Sequence, residues 1–250
     1  MTPTGDAAAA VAFLTPVGRG RAPSPGALMW FPAVGASMGL ALGGVWWLAA
    51  QVWPPPVAAA LVVVADLGFT GMLHLDGVID AADGLLPHLE RGRRLDVMAD
   101  PRAGAFGVGA AAAVIVVRWS ALSALTPVPV LLAGLWCASR TAMAVAARAL
   151  PYARPTGGLA SAFLAPRRSG GATAALAAGG LVASLALAGV ATGLGGVIAV
   201  GGLTAVAVAV AALAQRRLGG FTGDVLGAAG LVGETVGLAL AAARPRWRTA

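Results

Sequence analysis

The stretch LGGVIAVGGLTAVAVAVAALA at residues 194–214 carries no charge, and Thr204 is its only polar side chain. About 20 consecutive apolar residues in a helix cross the hydrocarbon core of a bilayer, which is about 30 Å thick. Inside lipid a segment must satisfy its own backbone hydrogen bonds, and an α-helix does so. This stretch therefore predicts a membrane-spanning α-helix.

Similar apolar stretches recur along the chain, separated by short breaks. The prolines at 54–56 interrupt the first pair, and Thr126-Pro127 interrupts the next. We predict an all-α fold, a polytopic membrane helical bundle of about seven transmembrane helices in one domain, residues 1–250; six or eight spans also agree with the sequence. The predicted spans are 27–51, 56–75, 104–126, 128–149, 171–192, 194–214 and 224–243.

The composition excludes an ordinary soluble domain. Hydrophobic residues make up 58% of the chain and charged residues 11%, whereas soluble domains contain about 25% charged residues. The 36 glycines are small enough to let membrane helices pack closely. Cys137 is the only cysteine, which excludes an internal disulfide and a thiolate metal cage. The N-terminal sequence predicts no removable signal peptide.

The net charge of +7 comes entirely from arginine, because the chain has no lysine. The arginines punctuate the apolar runs, which favours membrane topology and anionic ligands over nucleic acid binding. With alternating spans, the arginines of the polar segments share one face, and the positive-inside rule makes it the cytoplasmic face of the cell's inner membrane. The tail disagrees, since seven crossings would place it outside; it contains Arg244, Arg246 and Arg248.

Six of the ten carboxylates lie within residues 76–100. Asp76, Asp80 and Asp83 stand at i, i+4 and i+7, positions that share one face of a helix. Like charges stacked in this way repel one another, and a divalent cation relieves the repulsion. Oxygen-only ligands indicate Mg²⁺ or Mn²⁺, with a substrate phosphate completing the coordination shell. We therefore predict a catalytic, cytoplasmic acidic and arginine-rich loop over residues 76–103.

A second acidic pair, Asp96 and Asp100, is again spaced i, i+4 and is expected to face the first set from the next helix. Arg102 lies close by, and carboxylates with arginines are typical of sites that hold metal-bound phosphates. The alternative is a solvated loop of exposed salt bridges. His74 and His88 are each as consistent with surface or packed positions as with ligands or bases.

A third polar element follows the sixth span, in the sequence LGGFTGDVLG at 218–227. Glycines around a threonine and an aspartate at a helix start suit a backbone that donates amides to a phosphate, although Asp224 also fits a simple N-cap. The predicted orientation places Asp224 on the face of the aspartate cluster. Glu234 lies within the seventh span, where Arg118 and Arg140 are the intramembrane cations that would pair with it or with a ligand.

Three of these segments together resemble the cobalamin synthase family, the adenosylcobinamide-GDP ribazoletransferases. They are HLDGVIDAADG at 74–84, VMADPRAGAFG at 97–107 and GGFTGDVLGA at 219–228, and AFLT at 12–15 resembles the family's N-terminal segment. The length and span pattern agree over nearly the whole chain. The family often has basic residues where Pro16 and Ala99 stand here, and Arg19 or Arg102 would supply the lost charge.

The resemblance implies an Mg²⁺-dependent transfer, in which a ribose hydroxyl of α-ribazole or its 5′-phosphate attacks adenosylcobinamide-GDP and GMP leaves. Asp76, Asp80 and Asp83 would hold the metal. Asp96 or Asp100 would be a further ligand or the general base, with Arg102 neutralising charge on the transferred phosphate. The expected substrate-binding residues are Arg19, Gly77, Gly84, Arg140, Gly220, Thr222, Gly223 and Asp224. The partners implied are these substrates and the lipid bilayer; the oligomeric state, a homo-oligomer included, stays open.

Two other functions compete with this interpretation. A CDP-alcohol phosphotransferase has a similar acidic motif, but Pro87-His88 replaces its Ala-Arg pair and the segment at 219–224 is foreign to it. A membrane transporter would explain Glu234, Arg140 and Arg118 but not six carboxylates in one segment. An aspartate-rich prenyltransferase is weaker, because it should show two similar acidic loops.

Overall fold

A computed structural model describes residues 2–18, 24–154, 158–163 and 170–243, and within these ranges the protein is helical. Two short 3₁₀ helices, Ala27–Trp30 and Leu159–Phe163, accompany the α-helices. The α-helices are α1 Pro3–Leu14, α2 Phe31–Ala49, α3 Pro55–Thr70, α4 Leu73–Leu85, α5 Arg91–Val97, α6 Ala105–Ala124, α7 Pro129–Ala149, α8 Gly170–Thr192, α9 Leu194–Leu218 and α10 Gly223–Ala241.

The predicted polytopic membrane bundle is confirmed, because six described helices are long and apolar enough to cross a bilayer. The first combines Ala27–Trp30 with α2, and the others are α6 to α10. A seventh is reached only if α3 and α4 count as one span, and these two helices meet at 88°. With 16 residues, α3 is about 24 Å long and falls short of the hydrocarbon thickness by itself.

A two-residue left-handed linker produces this bend. Gly71 ends α3 with φ 58°, and the Met72 amide donates to the carbonyl of Leu67 at 2.8 Å, the pattern of a helix-terminating Schellman motif. Met72 follows with φ 62°, a conformation that costs a non-glycine residue about 1 kcal/mol. The strained linker turns α4 out of the direction of α3, so the aspartates of α4 do not continue along a membrane span.

The segment predicted as a loop over 76–103 is therefore largely helical. Its first part is the remainder of α4, and α5 supplies a second helix before α6 begins at Ala105. Apolar residues on α4, among them Val78 and Ala81, bury one side of the helix in the bundle. Helix formation thus places the acidic residues on one face instead of scattering them through a flexible connection.

The core is centred on α7, in which 78% of the span is buried, against 22% for α8. Gly35, Gly39 and Gly43 form a stripe along α2 that lies against the α7 backbone. A methyl group at Gly35 would come within 2.5 Å of the Trp136 carbonyl oxygen. Such small-xxx-small stripes let membrane helices approach closely, and van der Waals contact then replaces the hydrophobic effect as the source of stability.

We predict that Gly39→Ala lowers the stability of the bundle, because the added methyl group overlaps the Leu132 backbone. Overpacking of this kind costs about 1–3 kcal/mol. The matched control is Gly44→Ala on the same helix, where a methyl group meets no atom within 4 Å. Thermal unfolding in detergent should show a lower midpoint for Gly39→Ala alone; equal midpoints would contradict this account of the α2–α7 interface.

Candidate functional site at the start of α10

The three predicted metal-ligand aspartates lie on α4, as their spacing required. Their environments differ, since Asp76 is exposed, Asp80 is half-buried and Asp83 is buried. Neither Asp76 nor Asp80 has a hydrogen bond or ion pair with the described residues. These two carboxylates are therefore open to a ligand.

Asp83 is held by the first turn of α6. Its Oδ2 accepts the Gly104 amide at 2.7 Å, and its Oδ1 accepts the Gly107 amide at 2.9 Å. Unpaired amides at a helix N-terminus favour a carboxylate in this way. A side chain at Gly104 would overlap the carboxylate, with its Cβ 2.5 Å from Oδ1. Asp83 thus joins α4 to α6, and fewer of its lone pairs remain for a metal than on Asp76 or Asp80.

The N-terminus of α10 packs directly against α4. Thr222 is the N-cap, because its Oγ1 accepts the Val225 amide at 3.2 Å, so Asp224 lies inside the first turn instead of capping it. A methyl group at Gly77 would lie 2.7 Å from the Asp224 carbonyl oxygen. Glycine at 77 permits this approach, and the contact brings Asp224 beside the aspartates of α4.

A short backbone pairing sets the position of Arg154. The Phe221 amide donates to the Pro151 carbonyl and the Ala153 amide donates to the Phe221 carbonyl, each at 2.9 Å. Gly220 packs against the Pro151 carbonyl, where a side chain would overlap it, so its contact is with the protein. The pairing brings the Arg154 guanidinium to 2.9 Å from the Asp224 carboxylate.

The carboxylates are crowded enough to perturb one another. Burial, followed by the charges of Asp224 and Asp76, raises the pKa of Asp80 to about 7, while Arg154 opposes the shift. Asp80 lies on α4 beyond the bend and outside the six spanning helices. The local charge therefore favours binding of a cation or a proton.

The second predicted pair is placed differently from expectation. Asp96 is exposed on α5, but α5 ends at Val97, so Asp100 does not share its helical face. Asp100 precedes Pro101, and a residue before proline is disfavoured in a helix. Arg102 donates to both carboxylate oxygens of Asp100, and these bonds hold the pKa of Asp100 well below its ordinary value. The expectation that the pair faces α4 from one helix is wrong.

Two arginines near the acidic cluster hold the end of α4 together. Arg94 donates from Nη1 to the carbonyls of Gly84 and Pro87 at 2.8 and 2.9 Å. Arg217 donates to the carbonyls of Leu85 and Leu86. Cations that cap a helix C-terminus complement its dipole. Gly84 itself packs against Met98, with no room for a side chain.

A buried charge network crosses the bundle interior. Arg118 lies 2.5 Å from Asp66 and 3.2 Å from Glu234, and Arg140 also pairs with Glu234. The second terminal nitrogen of Arg140 lies 3.3 Å from His74 Nδ1. All five residues are at most 3% exposed. The two positive charges of this network balance its two negative charges. The ion pairs confirm the predicted pairing of Glu234 with Arg118 and Arg140. Arg140, which was predicted to bind substrate, contacts protein groups.

A cavity of about 210 Å³ adjoins the site. It is bounded by α4, α7, the start of α10 and residues of the connection after α7, and Asp224 belongs both to its lining and to the carboxylate cluster. The other polar lining residues are His74, Tyr152 and Arg154. Of the predicted substrate-binding residues, Gly223 also lines this cavity, whereas Arg19 lies outside the described residues, as does the C-terminal tail from 244.

Sequence reasoning missed two functional groups of this region. Asp66 is an isolated carboxylate within an apolar run, the same signal that identified Glu234, so it was detectable. Arg154 carried no local signal, because only the pairing of its segment with Phe221 places it beside Asp224. Among the described residues, no three His, Cys, Asp or Glu side chains are arranged to hold a metal ion by themselves.

Comparison with known proteins gives one consistent result. The family model described as Cobalamin-5-phosphate synthase matches residues 6–242. A protein of Bradyrhizobium diazoefficiens named adenosylcobinamide-GDP ribazoletransferase is 39% identical, covering 94% of this chain and 92% of that protein. A protein of the same name from Chlorobium phaeovibrioides is 35% identical, covering 83% of this chain and 83% of that protein. Another from Thermosynechococcus vestitus is 46% identical, covering 53% of this chain and 54% of that protein. No solved structure matches the chain.

We predict that Asp66→Asn destabilises the protein, because it removes one charge of the buried network and leaves Arg118 with one carboxylate fewer. Breaking a buried pair from one side costs about 3–5 kcal/mol. Thermal unfolding in detergent measures the effect. The control is Arg102→Ala, which removes an ion pair at a side chain that is 87% exposed and should leave the midpoint unchanged. An unchanged midpoint for Asp66→Asn would contradict a structural role of the network.

Proposed function

The chain belongs to the cobalamin-5-phosphate synthase family, and from that membership we propose that it joins adenosylcobinamide-GDP to α-ribazole or its 5′-phosphate. A ribose hydroxyl oxygen bonds to the phosphorus attached to cobinamide, and the bond between that phosphorus and the pyrophosphate bridge oxygen breaks. GMP leaves with the bridge oxygen, and the hydroxyl proton passes to a base. The product is adenosylcobalamin or its phosphate.

One observation carries the proposal: Asp76, Asp80, Asp224 and Arg154 converge where α10 begins against α4. A nucleotide diphosphate presents several negative oxygens, which carboxylates alone repel. Carboxylates with a divalent cation and an arginine bind such a group and neutralise the charge that develops on phosphoryl transfer. This combination supports phosphoryl transfer over transport, because a transport path would not require a carboxylate cluster beside an arginine at one end of the bundle.

We propose Mg²⁺ as the cofactor. The residues present fit a hard cation, because the carboxylates of Asp76 and Asp80 have no hydrogen-bond or ion-pair partner among the described residues. The pKa of Asp80 is raised by burial and then by the charges of Asp224 and Asp76, which a cation would offset. Mg²⁺ usually takes one or two protein carboxylates together with water and substrate phosphate, which agrees with the lack of a three-residue cage among the described residues. When bound, the ion would neutralise phosphate oxygens of the donor substrate.

Side chains of the protein would supply the remaining binding and catalytic groups. Asp224 and Arg154 line the cavity beside the carboxylate cluster, and Arg154 would hold a phosphate oxygen in exchange for part of its pairing with Asp224. The roles proposed for Asp100 and Arg102 as base and charge stabiliser require their mutual ion pair to open toward the substrate. Asp96 is exposed and would act as a further ligand in the same rearranged state.

We place the site on the cytoplasmic face of the inner membrane. The arginines of α5 and those that end α9 lie on the side of the bundle where α4 ends and α10 begins. The short turns on the opposite side, at 50–54 and 125–128, carry no charge. This asymmetry is the pattern that the positive-inside rule describes.

We expect membranes that contain the wild-type protein to release GMP from adenosylcobinamide-GDP when α-ribazole and Mg²⁺ are supplied together. Removal of Mg²⁺ with EDTA should stop the release, and added Mg²⁺ should restore it. Chromatography detects GMP and the cobalamin product in equal amounts. Membranes with folded protein that form neither product, with free or phosphorylated α-ribazole, would contradict the proposed function.

Asp80→Asn should lower the rate of GMP release by at least about 100-fold, because the substitution removes a charged oxygen ligand and keeps the side-chain volume. Glu90→Gln is the matched control, since Glu90 lies in the same acidic segment but is exposed ahead of α5. Its rate should equal that of the wild type. A full rate for Asp80→Asn would reject the metal site while leaving the reaction itself in place.

A further inference from the structure

We infer that the cavity beside Asp224 binds the nucleoside substrate, α-ribazole, with its base inward and its ribose at the rim. This inference rests on the proposed function and assigns one of the two substrates to a place. The cavity lies next to the carboxylates that would hold the pyrophosphate, because Asp224 and Arg154 line the cavity and also belong to the polar site. A hydroxyl group at the rim would therefore meet the phosphorus it has to attack.

The size of the cavity selects between the substrates. Pockets that enclose drug-sized molecules measure about 300–1,000 Å³, and this one measures about 210 Å³. A corrinoid carries a macrocycle of four linked five-membered rings and cannot enter such a space. A single benzimidazole ring with part of its sugar is of the right order. The corrin ring of the donor must then lie outside the cavity.

The lining changes in character from the inner wall to the rim. Met143 and Ala160 are at most 3% exposed and form an apolar inner wall, with Phe13 also in the lining. Arg154 and Asp224, whose side chains are 27% and 25% exposed, stand at the rim. A flat aromatic base suits the apolar wall, whereas the ribose and any 5′-phosphate suit the charged rim.

His74 adds a hydrogen-bond donor to the inner wall. A guanidinium only donates, so the contact from Arg140 makes Nδ1 the acceptor and places the ring proton on Nε2. The His74 residue is 2% exposed, and Nε2 has no partner among the described residues. A buried donor without a partner is unfavourable. Because Nε2 is buried in the wall, the proposed hydrogen bond requires the wall to open locally as the base enters.

The benzimidazole of α-ribazole provides the matching group, a ring nitrogen with a free lone pair. Its hydrogen bond to His74 Nε2 would satisfy the buried donor and orient the base. Glu234 and Arg140 act behind the histidine as positioning residues, because Glu234 holds Arg140 and Arg140 fixes the tautomer of His74.

Steady-state kinetics with both substrates tests the location. Ala160→Leu fills part of the cavity and should raise KM for α-ribazole about tenfold, the size expected for overpacking, with KM for adenosylcobinamide-GDP unchanged. Ala112→Leu, an exposed position on α6, is the matched control and should change neither constant. A rise confined to KM for adenosylcobinamide-GDP would assign the cavity to the donor and overturn the inference. Absence of product with the wild type would instead overturn the proposed function.

A substrate analogue tests the role of His74. In the indole riboside a carbon replaces the free ring nitrogen, and wild-type protein should bind it about tenfold more weakly than α-ribazole. His74→Leu should lose this discrimination, and His74→Gln, which keeps an N–H group, should retain part of it. The chain's only other histidine is exposed, and His88→Leu should discriminate like the wild type. Undiminished discrimination by His74→Leu would overturn the assignment. The ratio of the two affinities does not depend on how much of the variant is folded, because both ligands are measured on the same protein.

Discussion

The mutual neutralisation of four buried charges is the constraint on which the rest of the bundle depends. Lipid offers no water to solvate them, so each charge must find its partner on another helix. Arg118 of α6 bridges Asp66 of α3 and Glu234 of α10, and Arg140 of α7 completes the set. Each of these four helices is thereby joined to at least one of the others by a buried charge pair.

The buried charge network also sets the position of the candidate site, because α10 carries one residue of the network and one residue of the site. Asp224 lies in the first turn of α10, and Glu234 lies ten residues further along the same rigid helix, about 15 Å away. Once Glu234 is held by the arginines, the depth of Asp224 is set. Gly77 then allows α4 to meet that first turn, and Asp83 attaches the far end of α4 to α6.

Much of the fold was predictable from local sequence, since a span needs only enough consecutive apolar residues. The bend between α3 and α4 was not, because it depends on the left-handed conformation of Met72, which no pattern demands. The spacing on α4 correctly indicated one helical face, but it could not show that Asp83 faces the α6 amides. The partners of Asp66 and Arg154 are distant in sequence, so only the folded chain identifies them.

The position of the site at the end of the bundle follows from the physical demands of its proposed substrates. A nucleotide diphosphate must remain in contact with water and a cation, so its phosphates cannot enter the lipid-surrounded interior. An aromatic base loses little by leaving water and gains from an apolar wall. The right-angle turn into α4 meets both demands, because it exposes Asp76 and leaves Asp80 half-buried on one side of the helix. The first turn of α4 places His74 in the lining of the neighbouring cavity. The strain at Met72 therefore lies where the chain passes from the spanning bundle to the polar site.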